Sequence, residues 1–327
     1  MIITKTNHRI SILGGSTDTI PHLATGKSGI VLGFGLAQYT TASVRYLPKY
    51  FDYKSRLAYS KIETVKSNVD IEHRVIKEAL RYFDLDDGIE ITHIADVPSY
   101  SGLGSSSSFL VNLINCLAHL KGYKPTPMDL YLWATDIEQN KLKENVGLQD
   151  SLWAAYSNIG YMKFKSREEV QYIPIHYTKD ALEDLERHCM LFFTGGRISS
   201  QVTKYYKNFG SQAYQMDRLV DMTNMGIEAL KARNYPQLSK LMGASWDIKR
   251  GLDASISGPK IDEANEKVKK HGGFMKLCGG GGGAGCIFIL CPPDEHDNIR
   301  KDLTDFTEIQ VKVDTEGPRI IFNNGEH

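Results

Sequence analysis

Val97-Pro98-Ser99-Tyr100-Ser101-Gly102-Leu103-Gly104-Ser105-Ser106-Ser107-Ser108-Phe109 passes within a few residues from a glycine- and serine-rich loop to the start of an apolar helix. Beyond it Leu110, Leu113, Ile114, Leu117 and Leu120 recur near the helical period, which predicts a helix whose N-terminus holds Ser105 to Ser108. Free amides and the positive end of the helix dipole make such a terminus an anion site. Gly102 and Gly104 let the backbone approach a large ligand, and the four hydroxyls supply donors to phosphate and a metal ligand. The plainer alternative is a Gly/Ser turn with a serine cap. The coincidence of loop, helix and hydroxyl cluster favours the anion site.

Working outward, Arg9-Ile10-Ser11-Ile12-Leu13 alternates as a strand and ends in Gly14-Gly15-Ser16-Thr17-Asp18, a turn that presents Thr17 and Asp18 at a pocket edge or merely closes on itself. Toward the C-terminus, Lys276-Leu277-Cys278 leads into Gly279 to Gly283, Ala284, Gly285 and Cys286, followed by the strand Ile287-Phe288-Ile289-Leu290. Ordering so many glycines costs backbone entropy, so a run bounded by apolar strands points to close backbone approach rather than to a linker. Between these segments lie Glu138, at the end of a helix read from Met128, and Asp150, just ahead of the apolar Leu152-Trp153-Ala154-Ala155-Tyr156. Locally the two are a solvated helix residue and an N-cap.

Two familiar nucleotide motifs are excluded. Gly26-Lys27-Ser28 has Pro21 where a Walker loop needs glycine, and Gly33-Phe34-Gly35 has Gln38 where a dinucleotide fingerprint needs its third. Strands are expected over Val31 to Tyr46, Arg56 to Val65, Ile89 to Ile94, Gly160 to Ile175, Met190 to Phe193 and Ile287 to Leu290. Helices are expected over Ile71 to Phe83, from Ser200 to about Ala232, and from Pro236 to Asp253. Thr178 to His188 reads as a polar surface segment joining two lobes, with a boundary near residue 180.

Composition narrows the partners. Lys+Arg and Asp+Glu both number 39 in 327 residues, so no charged field argues for nucleic acid or a polycation. A small molecule is the expected partner. Five scattered cysteines without a Cys-x-x-Cys pair disfavour a disulfide framework and a zinc site and suit a reducing, cytoplasmic setting. No run approaches the roughly 18 apolar residues a membrane span needs, and no signal peptide or anchor is expected.

The three glycine-bearing segments resemble those of the GHMP kinases. Pro98 and Gly102 to Ser107 match the family's Pro-x-x-x-Gly-Leu-Gly-Ser-Ser-Ala/Ser loop position for position. Arg9 to Asp18 resembles the Arg-Ile-Ser-x-x-Gly-Gly-Gly-Thr-Asp segment of the heptose-phosphate branch, with Ser16 in place of the third glycine. Glu138, Gly147 and Asp150 reproduce that branch's glutamate and Gly-x-x-Asp spacing, and Lys276 to Gly285 resembles the third family motif.

The resemblance implies a two-lobed α+β fold: a ribosomal protein S5 domain 2-like N-terminal lobe over 1-180 and a ferredoxin-like C-terminal lobe over 181-327. It further implies an ATP-dependent kinase acting on the anomeric hydroxyl of a sugar phosphate, such as a heptose 7-phosphate on the route to nucleotide-heptose and surface polysaccharide. The cofactors implied are ATP and Mg2+. Pro98, Gly102, Leu103, Gly104 and Ser105 to Ser108 would hold the nucleotide. Ser106 and Glu138 would hold the metal, Asp150 would accept the proton of the attacking hydroxyl, and Arg9 would orient it. Gly15, Ser16, Thr17 and Asp18, with Gly281 and Gly282, would contact the sugar. Alternatives consistent with the same motifs are another anomeric sugar kinase, for galactose or fucose, and a non-catalytic sensor of this fold. A homodimer is compatible with every one of these readings.

Overall fold

A computed structural model of the chain describes residues 1–196, 212–279 and 281–324. Its first lobe is built on one long antiparallel pair. Strands β1 (Ile2–Gly14) and β2 (Gly29–Tyr46) run side by side from Ile2 opposite Val44 to Gly14 opposite Val31. A strand as long as β2 serves two neighbours. Its first half pairs with β6 (Ile159–Phe164) and its second with β5 (Ile89–Ala95). The short hairpin β3 (Ser55–Ala58) and β4 (Ile62–Val65) extends the β5 side, and β7 (Val170–Pro174) flanks β6.

Helices α1 (Ile20–Leu23), α2 (Arg74–Tyr82), α3 (Ser105–Leu120), α4 (Pro127–Thr135), α5 (Gln149–Tyr156) and α6 (Lys179–Arg187) complete this half of the chain. Apolar side chains cover nearly the whole circumference of α3, and it is buried accordingly. Hydrophobic burial alone is non-directional, so its rotation is fixed by polar contacts: the hydroxyls of Thr4 and Thr6 donate to Asn112 Oδ1 at 2.8 and 3.0 Å. Start signals are local. Thr126 and Asp129 form a reciprocal capping box at α4, with Pro127 in the first turn, and His73 Nδ1 caps α2.

The second lobe is a four-stranded antiparallel sheet in the order β11 (Thr307–Ile309), β8 (Cys189–Phe193), β10 (Cys286–Leu290), β9 (Phe274–Leu277). Helices α7 (Ala213–Lys231), α8 (Tyr235–Arg250), α9 (Pro259–Lys270) and α10 (His296–Asp302) belong to it in sequence. The lobes share a core. Ile10, Leu32 and Phe34 from the first sheet pack in one cluster with Leu191, Phe288 and Leu290 from the second. Phe34 and Phe288 meet edge to face at a centroid distance of 6.0 Å.

Several expectations are corrected here. Thr178 to His188 is not a plain surface connection: the hydroxyl of Thr178 caps α6, which buries Ala181 and Leu185. Arg56 to Val65 is a tight hairpin rather than one strand. A last strand, β12 (Arg319–Asn323), returns to pair with β1 at the edge of the first sheet, so a single cut near residue 180 does not separate the lobes. The helical stretch expected from Ser200 lies outside the described residues as far as 211. No helix among the described residues is long and apolar enough to cross a membrane.

Because Phe34 lies in the core shared by both sheets, Phe34→Ala should lower stability by about 3–5 kcal/mol. It should do so in one cooperative transition, read by circular dichroism and by intrinsic fluorescence. Two separated transitions would show that the lobes fold independently.

Candidate active site

Strand β1 carries Arg9 into the interior, and its guanidinium meets two distant segments at once. Nε donates to Asp150 Oδ1 at 2.9 Å and Nη2 lies 2.8 Å from the same oxygen, while Nη1 donates to the Gly102 carbonyl at 2.6 Å. The Arg9 backbone N–H also donates to the Leu103 carbonyl at 3.1 Å. The phosphate loop is thereby tied to the strand at two points. Asp150 sits in the first turn of α5, where no side-chain cap is made, so the N-cap reading is excluded. Its side chain is 26% exposed against 4% for Arg9, and Oδ2 makes no hydrogen bond among the described residues. One carboxylate oxygen is held and the other is open.

The loop ends in Gly102 and Gly104, both at positive φ, and α3 starts at Ser105 with no side chain capping it. The four serines divide. Ser106 is exposed and Ser105 shares a hydrogen bond with Ser101 at 2.9 Å. Ser107 and Ser108 are buried: Ser108 donates to the Asn7 carbonyl at 2.9 Å and Ser107 to Glu138 Oε1 at 2.6 Å. The expectation that all four hydroxyls face a ligand is corrected for these two, whose position one helical step inward directs them to β1 and Glu138.

Glu138 lies in a π-helical turn, Asp136–Lys141, that continues α4. The carboxylate is buried, with Oε2 accepting from Ser151 at 2.7 Å. Burial pushes its pKa up to about 7, against the pull of the two serine hydroxyls. Ser107, Ser151 and Glu138 form an oxygen-only donor set of the kind magnesium takes, and Ser106 opens beside it on α3. No group of three or more His, Cys, Asp or Glu side chains suited to a metal occurs among the described residues. A cation here would therefore draw its remaining ligands from hydroxyls, water and phosphate.

Asp18 is buried beneath this arrangement. Its Oδ2 accepts from the Gln149 backbone N–H and its Oδ1 from the Gln149 side-chain amide, each at 3.1 Å. A Cβ on Gly147 would stand 2.3 Å from Asp18 Oδ2, which is why the stretch Gly147-Leu148-Gln149-Asp150 needs its glycine. Asp18 thus clamps the segment that presents Asp150. Expected from the sequence at the sugar, Asp18 stands here with its carboxylate buried and two donors from Gln149 on it. Gly14, Gly15 and Ser16 all take positive φ (78°, 69° and 62°), so Ser16 keeps the conformation of the glycine it replaces, at a cost on the order of 1 kcal/mol. Thr17 turns inward, donating to the Ile30 carbonyl at 3.1 Å.

The glycine run of the second lobe reaches the same region. Cys286 N–H donates to the Ser101 carbonyl at 2.7 Å, joining β10 to the phosphate loop. Gly281 is buried where a Cβ would lie 2.9 Å from Ile256 Cα, and the Gly282 amide donates to the Ser255 carbonyl at 3.0 Å. Both, expected from the sequence at the sugar, pack against the Ser255-Ile256 segment of the second lobe. Two lysines to which the sequence assigned no role of their own join the site. Lys276 Nζ donates to the Ser11 carbonyl at 2.6 Å, and burial drives its pKa well down. Lys249, from α8, has its pKa pushed down to about 8 by desolvation, which the Asp18 charge opposes. Lys276 opens the third glycine-rich motif, whereas only placement in the fold reveals Lys249.

Comparison with known proteins places the chain in a family. Residues 70–158 match the GHMP kinases N terminal domain and residues 227–308 the GHMP kinases C terminal domain. The chain belongs to the GHMP kinases, enzymes that transfer a phosphoryl group from ATP to a hydroxyl. It is 23% identical over 315 residues to the D-glycero-alpha-D-manno-heptose 7-phosphate kinase of Campylobacter jejuni, covering 92% of this chain and 93% of that protein. It is 25% identical over 259 residues to the galactokinase of Haemophilus influenzae, covering 69% and 67%. Among solved structures, a D-glycero-D-manno-heptose 1-phosphate kinase from Bacteroides thetaiotaomicron superposes with a TM-score of 0.82 at 19% identity, over 99% of this chain and 100% of that one.

The buried Glu138 gives a pH signature. Unfolded, it ionises near 4.5; folded, near 7, so between those values the folded state holds the extra proton. Stability should therefore fall as pH rises through this window, with the cost fully present above it. Glu138→Gln, which never ionises, should be more stable than wild type at about pH 8 by on the order of 2–3 kcal/mol, and much closer to it near pH 5, in urea unfolding without added metal. Gly147→Ala should lower stability by about 1–3 kcal/mol through its clash with Asp18. Unchanged denaturation midpoints in either variant would contradict the geometry described.

Proposed function

We propose that this chain is a heptose-phosphate kinase that transfers the γ-phosphoryl of ATP to an anomeric hydroxyl, converting D-glycero-D-manno-heptose 7-phosphate to the 1,7-bisphosphate. The route would be nucleotide-heptose formation for surface polysaccharide, in the cytoplasm where ATP is held. The observation that carries this reading is the half-occupied Asp150: Oδ1 is fixed by Arg9 while Oδ2 stays open beside an uncapped helix start. A base needs that asymmetry, since one oxygen must be aimed while the other accepts a proton.

In the reaction, the acceptor oxygen forms a bond to the γ-phosphorus as the bond from that phosphorus to the β,γ-bridging oxygen breaks. The bond's electron pair leaves on ADP, and the hydroxyl proton passes to Asp150 Oδ2. Arg9 holds the carboxylate in place, and its charge, fixed between the base and the loop carbonyls, offsets negative charge developing on the transferred group. The free amides at the start of α3 and the exposed Ser106 would receive the phosphates. Ser106 and Glu138 would hold magnesium, with Ser107 and Ser151 steadying the carboxylate. When bound, the ion would neutralise charge on the triphosphate. Likeness to the heptose 7-phosphate kinase over nearly the whole of both chains supports the choice of acceptor.

The test is ADP release across heptose 7-phosphate, free heptose, galactose and fucose, with the product's phosphate position read by phosphorus NMR. The expected result is turnover of heptose 7-phosphate with a new anomeric phosphate. Preference for galactose or fucose would move the chain to another sugar kinase, and background ADP with every sugar would make it a non-catalytic sensor. Asp150→Asn should keep ATP affinity and lose turnover by about 10²–10⁴-fold. Wild-type turnover in that variant would remove Asp150 from the reaction.

A further inference from the structure

The turn at Gly15 is bordered by polar side chains from both lobes. The point where a Gly15 Cβ would stand lies 2.8 Å from Lys249 Nζ, 3.2 Å from Gln149 Nε2 and 3.8 Å from Ser11 Oγ. Gln149 follows directly from the clamp described above: its amide nitrogen must face Asp18, because a carboxylate accepts and only the NH2 can donate. That fixes Oε1 on the other branch, where it is buried without a hydrogen-bond partner. An unsatisfied buried acceptor costs free energy until a donor reaches it. Lys249 brings an ammonium to the same turn from α8, and no ion pair to a carboxylate is made by it among the described residues. The Lys249 ammonium and the Gln149 amide therefore both border the Gly15 turn, and Gln149 is one sequence position from Asp150.

A hydroxyl group both donates and accepts, and the acceptor of a kinase reacting at Asp150 must place its neighbouring hydroxyls near this point. Resting on the sugar-kinase reading above, we propose that Lys249 and Gln149 Oε1 form a two-point reader for an acceptor hydroxyl adjacent to the reacting one, Lys249 donating to its oxygen and Gln149 accepting its proton. The second lobe thereby takes part in choosing the acceptor. Lys249 is a specificity residue in this scheme, and it transfers no proton.

The charged and titratable neighbours of Lys249 are Asp18 and Arg9 from the first lobe and Cys278 and Lys276 from the second. With its pKa pushed down to about 8 by desolvation, Lys249 loses its charge in an accessible range, whereas arginine in its place would stay charged.

The experiment compares wild type, Lys249→Met and Lys249→Arg for the KM of acceptor and of ATP against pH. In parallel, trace acetic anhydride labels Lys249 in the wild type with each sugar of the panel or with a non-hydrolysable ATP analogue, read by peptide mass spectrometry. Lys249→Met should raise the acceptor KM at least tenfold with the ATP KM within twofold of wild type. In the wild type the acceptor KM should climb above about pH 8, and this rise should vanish in Lys249→Arg. Sugar, and not the ATP analogue, should suppress labelling. An unchanged acceptor KM in Lys249→Met, an equal rise in the ATP KM, or labelling that no sugar suppresses would overturn the inference. Suppression by a sugar, together with background ADP from every sugar of the panel, would uphold it and overturn only the kinase reading.

Discussion

One buried guanidinium holds this site together. Arg9 joins the middle of the longest strand pair to the Asp150 carboxylate and to the carbonyl of Gly102, so strand, helix start and glycine-serine loop are held together. A cation this far from water is stable only while its partners are in place. Removing one partner of a buried pair costs about 3–5 kcal/mol, mostly because the other charge is left stranded. Asp150 is the more exposed member, so the pair is stabilised from the inside and approached from the outside. That asymmetry is what the proposed role of Asp150 as a base requires.

The surroundings of Arg9 show how the fold makes such a pair tolerable. Asp18 and Gln149 lock the segment before Asp150, and Gly147 leaves room for the Asp18 carboxylate. Glu138 is held by Ser107 and Ser151 one step further along the same wall. The second lobe closes the other side through Lys276 on the Ser11 carbonyl and Cys286 on the Ser101 carbonyl, over a shared apolar core. Around Arg9 most polar groups are satisfied by one another, while α3 starts without a side-chain cap and Gln149 Oε1 is one of several buried polar atoms without a partner among the described residues.

Much of this was legible in the sequence because its signals were local. The passage from Gly102-Leu103-Gly104 into an apolar period marked both the loop and α3, and the spacing of Glu138, Gly147 and Asp150 carried the resemblance to the family. What was not legible depends on contacts between distant residues. Ser106 and Ser107 are neighbours of identical type, and only the rotation of α3 decides that Ser107 reaches Glu138. Asp18 looked like a rim residue until Gln149, far along the chain, proved to hold it inside. Lys249 lies in an unexceptional basic stretch, and β12 is too short and too exposed to announce that it returns to the first sheet.

A double-mutant cycle on kcat/KM, with Arg9→Met, Asp150→Asn and both together, bears most directly on the idea that the two side chains act as one unit. Residues that work through each other lose their function together, so the double variant should be about as impaired as the worse single one. Losses that multiply independently would show that Arg9 and Asp150 act separately, and would contradict the account built on their contact.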